Sequence, residues 1–295
     1  MFDLRYHVAS LAAVFLALIV GILVGVGISD PVDNARKGLL EREVANLHKR
    51  LDQSAKQAGT QDREQAAAQT FISQTYPLLV HNRLKNRNIA VIFVGSFGGG
   101  VRTDVTRALS DAGLTAGQQF RLRALKVPID GPQIDKILAK HPDVGPFTGP
   151  GRFEALGRAL GQELMLGGDT PLWNALTDSL VEQQAGGTKD PADGVIVVRT
   201  AAPQRDGTSR YLQGLYSGLA STGVPAVGVE GTNAAVSAVP IFRQAGLSTV
   251  DDVDTAAGKL ALVFLLRGAP GGQYGLKKTA HDGVLPPLQT TGTGG

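Results

Sequence analysis

Cysteine is absent from the 295 residues, which removes disulfides, thiolate metal sites and cysteine nucleophiles together. Methionine occurs only as Met1 and Met165, and the five histidines, His7, His48, His81, His141 and His281, lie far apart with no paired spacing. No cluster of thioether or imidazole donors is therefore offered to a soft or borderline metal. No Gly-x-Ser-x-Gly elbow with a histidine partner appears, and no P-loop, so a hydrolase or nucleotidase has no motif to rest on. An excess of charge is missing too. Net charge is +3, from 29 basic and 26 acidic residues, and no basic block is interleaved with aromatics. Nucleic acid is not an expected partner. The lack of disulfides does not place the bulk of the chain in the cytoplasm, because exported bacterial proteins often have none.

Charge is missing altogether over residues 8–28, VASLAAVFLALIVGILVGVGI, where Ser10 is the sole hydroxyl. About 21 residues at about 1.5 Å each match a hydrocarbon core of about 30 Å, so the stretch reads as a membrane helix. It exceeds a signal-peptide core, no Ala-x-Ala site follows, and a helical pattern continues directly, so retention as an anchor is expected. Ala9, Ala13, Ala17, Gly21 and Gly25 recur every four residues along one face, and Gly21 to Gly25 spell GxxxG. Ala13, Ala17, Gly21 and Gly25 are thus the candidate surface for membrane-helix packing. The expected arrangement is single-pass, with an extracytoplasmic C-terminal domain and the choice of envelope membrane left open.

Asp30 and Pro31 read as a stop followed by a new helix start. Leu40, Val44, Leu47 and Leu51 then alternate spacings of four and three, a heptad seam for a homodimer or a coiled-coil partner. A solvated helix packing on its own C-terminal domain is the alternative. The helix is expected to run to about residue 76, where Pro77 interrupts it.

Beyond residue 87 the pattern changes to apolar runs alternating with helical segments. Strands are expected at 89–94, 118–125, 194–198 and 224–229. Helices are expected at 103–111, 153–166, 170–184, 209–221, 237–244 and 255–266, with 128–151 a loop or short helix. This rhythm specifies a Rossmann-like α/β domain with a parallel sheet of four or five strands. The expected divisions are a membrane anchor at 1–30, a helical coiled-coil stalk at 31–76, the α/β domain at 77–288 and a disordered tail at 289–295. Gly95 to Gly100 after the first strand fits neither GxGxxG nor a P-loop, so a plain turn is preferred to a phosphate cradle. Asp251, Asp252 and Asp254 crowd together, but helix capping accounts for two of them, with Asp254 the expected cap of 255–266 and residues 248–251 resembling a capping box. No catalytic or metal-binding residue is assigned, and no cofactor.

The opening MFDLRYHVASLAAVFLAL, the later STVDDVDTAAGKLALVFLLR, the YGLK that follows it and LPP near the end resemble the actinobacterial MctB-like family of copper transporters, which is also SteB-like. The likeness spans nearly the whole chain. It implies copper transport or homeostasis in the cell envelope, with the mycobacterial branch at the outer membrane. Copper is implied by the resemblance alone. It also implies a second role, as a coiled-coil scaffold or regulator of cell-wall hydrolases in cell separation. A single apolar helix without charged side chains offers no pathway to a hydrated cation, so a non-catalytic accessory in copper handling is the expected form of the function.

Overall fold

A computed structural model of the chain describes residues 4–95, 99–115, 120–186 and 189–287, with side chains described throughout these except at 4–9, 26–41, 61 and 120. The chain divides into two compact units, Met1–Gln69 and Thr70–Gly295. The first consists, in its described part, of helix α1, which runs over Leu4–Val80 and so continues into the second unit.

Three expectations for this region are corrected. The stop at Pro31 and the break at Pro77 do not occur, since α1 passes through both positions. An interior proline removes one backbone hydrogen bond and costs about 3 kcal/mol, and the long run of Ala, Leu, Glu, Gln, Lys and Arg around it is rich in strong helix formers. A membrane span is not found either: among the described residues no helix is long and apolar enough to cross a membrane. The ends of the expected span, at 8–9 and 26–28, lie outside the described side chains. Finally, no coiled-coil pairing of α1 is evident among the described residues, where a coiled coil would set the knobs of a facing helix into the seam. Val44, Leu47 and Leu51 stand 49, 54 and 65 % exposed, and Leu40 lies outside the described side chains.

The second unit is built on a seven-stranded sheet in the order β3-β2-β1-β4-β5-β6-β7. Its strands are β1 (Ile89–Val94), β2 (Phe120–Leu125), β3 (Val181–Ala185), β4 (Gly194–Arg199), β5 (Ala226–Val229), β6 (Ser248–Val250) and β7 (Gln273–Tyr274). Strand β1 lies inside the sheet, with Ile89 level with Phe120 on one side and Gly194 on the other. It is buried on both faces, which is why it reads as an unbroken apolar run. Its side chains alternate: Ile89, Val91 and Phe93 enter one core, Ala90, Ile92 and Val94 the other. The first core is closed by α2 (Gly100–Asp111), α8 (Ala256–Arg267) and the last turns of α1, where Tyr76 and Val80 are buried and the Tyr76 hydroxyl donates to Asp111. The second is closed by α3 (Gly131–Leu138), α4 (Arg152–Leu166), α5 (Pro171–Leu180), α6 (Asp206–Ala220) and α7 (Val239–Gln244).

The sheet is mixed, which corrects the expected parallel one. Every neighbouring pair is parallel except β2 with β3. Strand β3 leaves α5 without a loop, Val181 being both the helix C-cap and the first strand residue, and it pairs first with Leu125 at the far end of β2. It therefore runs antiparallel. Its VEQQA sequence, exposed from Glu182 onward, carries good helix formers at an edge, and so resembles a continuation of α5.

Helix α8 is capped by Thr255, not by Asp254. The Thr255 hydroxyl accepts from the Gly258 amide at 2.9 Å and donates to Asp252 at 2.9 Å, and Gly268 closes the helix in the left-handed conformation. Residues 248–250, expected as part of a capping box, are strand β6. Thr255→Ala loses both hydrogen bonds and is expected to cost about 1–2 kcal/mol in urea unfolding, with Thr255→Ser close to the parent.

Candidate functional site

The strand order reverses between β1 and β4: the chain leaves β1 for α2 on one face and β4 for α6 on the other. Crevices at such switch points, beyond the carboxyl ends of the strands, are where open α/β sheets hold ligands. A cleft of about 640 Å³ opens here, walled by the start of α2, the ends of β4 and β5, and residues 233–236. Val101, Val198, Val229 and Val236 give it an apolar lining, and Asp104, Arg199, Glu230 and Asp254 are its charged groups.

The carboxylates are already engaged. Asp104, on α2, pairs with Lys259 of α8 at 2.9 Å, and both side chains are largely buried. Glu230, at the end of β5, is buried and accepts from the Ser237 hydroxyl, the Ala238 amide at 2.7 Å and the Lys277 ammonium at 2.9 Å. Asp254 accepts from the Thr232 amide at 2.8 Å and its hydroxyl at 2.5 Å. Partial burial works to raise the Asp254 pKa, but the Thr232 hydrogen bonds, with help from the Lys277 charge, leave it below the ordinary carboxylate value.

Behind the cleft, the aspartate-rich turn binds the C-terminal segment. Asp251 is buried and accepts from the amides of Leu276 and Lys277 at 3.0 and 3.2 Å and from the Thr279 hydroxyl at 2.5 Å. Lys277 is thereby placed to reach Glu230 and the Gly231 carbonyl. The STVDD and YGLK stretches are thus two halves of one structural joint. Asp252 is 0 % exposed; one oxygen accepts from Thr255 and the other, Oδ1, has no partner. Burial, the largest influence, pushes its carboxyl up to about 6, with the Thr255 hydrogen bond opposing and the charges of Asp251 and Asp254 adding to the rise.

Gly95 has a packing role. With φ at 101°, it lies where a Cβ would sit 2.6 Å from the Ala201 backbone, because β1 and β4 leave the sheet side by side. Residues 96–98 of that turn lie outside the described residues. Among the described residues no group of three His, Cys, Asp or Glu could hold a metal ion. Of the histidines, His48 bonds to the Val44 carbonyl of its own helix and His81 to Asn82, while His7 lies outside the described side chains.

Of the residues singled out for helix packing, Ala13 and Ala17 are exposed, and a Cβ at Gly21 or Gly25 would meet nothing within 4 Å. The glycine contact that the fold does use was missed in the sequence. Gly157 and Gly161 on α4 face Gly214 and Gly218 on α6, two GxxxG repeats whose missing side chains let the helix backbones touch. GRALG and GLYSG are visible as strings, but only their meeting gives them significance.

The chain matches, over residues 1–285, the family described as "Copper transport outer membrane protein, MctB". It is similar to the proteins named "Copper transporter MctB" from Mycobacterium tuberculosis (strains H37Rv and CDC 1551) and Mycobacterium bovis. Each is 24% identical over 317 residues, covering 96% of this chain and 98% of the relative. An outer-membrane description does not fit the single-pass anchored localisation expected from residues 8–28, and together with the lack of a membrane-crossing helix among the described residues it corrects that expectation. With the match running from the first residue through the aspartate-rich joint to the C-terminal segment, this chain belongs to the MctB family.

Proposed function

We propose that this chain serves copper transport at the outer membrane as a non-catalytic accessory, working through its protein surfaces and not by coordinating the metal. The family description and the names of the mycobacterial relatives supply the copper and the membrane. The observation that carries the accessory role is the state of the cleft's carboxylates: Asp104, Glu230 and Asp254 are each held by protein donors. Copper favours sulfur and imidazole, and the cleft lining includes neither cysteine, methionine nor histidine.

Two measurements test this reading. Deleting the gene is expected to change cellular copper content and copper tolerance; unchanged copper handling with cells that fail to separate would overturn it in favour of cell-wall regulation. Full-length protein incubated with copper and desalted is expected to retain well under one equivalent. Retention of one equivalent would show direct coordination and overturn the accessory role.

A further inference from the structure

Asp252 sits in an unusual place for a carboxylate. It is wholly buried, its Oδ1 has no hydrogen-bond partner, and it is enclosed by Gly258 of α8 and Gly275 of the C-terminal segment, each too close to accommodate a Cβ. The charged groups bearing on it are Asp251 and Asp254 of its own turn, both acidic. The two nearby lysines are committed elsewhere, Lys259 to Asp104 and Lys277 to Glu230. A buried charge without a counter-ion is costly, and a proton from solvent removes it. The segment that Asp252 touches carries Lys277, which bonds Glu230 and the Gly231 carbonyl at the cleft wall.

We infer that Asp252 is an acid-operated latch: its protonation tightens the joint between the turn before α8 and residues 274–279, and its ionisation loosens that joint and with it the Lys277 side of the cleft. The step adds one solvent proton to a carboxylate oxygen and breaks no covalent bond. Because the folded-state pKa lies above the ordinary value, the stabilisation is complete below about pH 4 and is lost as pH rises through about 6.

Hydrogen exchange of the full chain tests it at the Leu276 and Lys277 amides, which Asp251 holds. After correction for intrinsic exchange rates, the opening equilibrium of these amides is expected to rise about ten-fold from pH 5 to pH 7. In Asp252→Asn it is expected to stay flat. An equal rise in Asp252→Asn, or no rise in the parent, overturns the latch. Should the variant not fold, the carboxyl-carbon NMR titration of Asp252 in the parent decides: a midpoint well above the ordinary value of about 3.9 supports it, and a midpoint at that value overturns it.

Discussion

Gly214→Val is expected to prevent α4 and α6 from docking and to leave the α/β unit unfolded or destabilised by more than about 3 kcal/mol, the range of severe overpacking. Any Cβ at Gly214 would run into the Glu154 carbonyl, and one at Gly218 into that of Arg158. On the opposite helix, a Cβ at Gly157 would meet the Tyr211 carbonyl, and one at Gly161 would stand 2.6 Å from that of Leu215. These obstacles are backbone atoms and cannot swing aside. The helices would have to separate, and Leu156, Leu160, Tyr211 and Leu215, buried between them and the sheet, would lose their packing. Far-UV circular dichroism and urea unfolding measure the effect. Gly59→Ala is the control, since a Cβ there meets nothing within 4 Å, and it is expected to leave the unfolding midpoint of the α/β unit unchanged. A Gly214→Val protein with the parent midpoint would refute the close contact.

Asp251→Ala is expected to cost about 3–5 kcal/mol, as removal of the acceptor from a buried charge-assisted cluster does. Two backbone amides and the Thr279 hydroxyl would lose their partner at once. Release of residues 274–279 would also draw Lys277 away from Glu230, leaving a buried carboxylate without its cation. Asp251→Asn is expected to be milder, about 1–2 kcal/mol, because its carbonyl can still accept from the amides and the Thr279 hydroxyl can turn to accept from its NH₂. Urea unfolding gives the ranking, and protease cleavage within 274–287 is expected to accelerate in the alanine variant first. Equal stability of the alanine variant and the parent would refute the joint.

Local signals identified some elements well and others poorly, for physical reasons. Strands β1 and β4 were legible because burial on both faces forces continuous β-branched runs, and α8 because its length is almost wholly apolar and buried. Strands β3, β6 and β7 were not legible. They are short edge or near-edge segments, with 5, 3 and 2 residues, whose conformation is imposed by the neighbour they pair with. At the aspartate-rich turn the sequence suggested caps, since an acidic residue before an apolar helix suits one. Thr255 takes that role in place of Asp254, and Asp251 holds a segment 25 residues away. The cleft was not legible at all, because its walls come from α2, β4, β5 and the turn before α8.

The amino-acid sequence by itself determined the alternation of strands and helices, the absence of cysteine chemistry and the membership of a family, since each depends on composition, periodicity or order along the chain. Tertiary structure alone decided that two GxxxG repeats meet, that β3 runs against its neighbour, that three aspartates divide into a tether, a buried latch and a hydrogen-bond acceptor, and that the cleft's carboxylates are already bonded. These are properties of pairs of residues brought together across the fold, and the energy of a contact belongs to the pair.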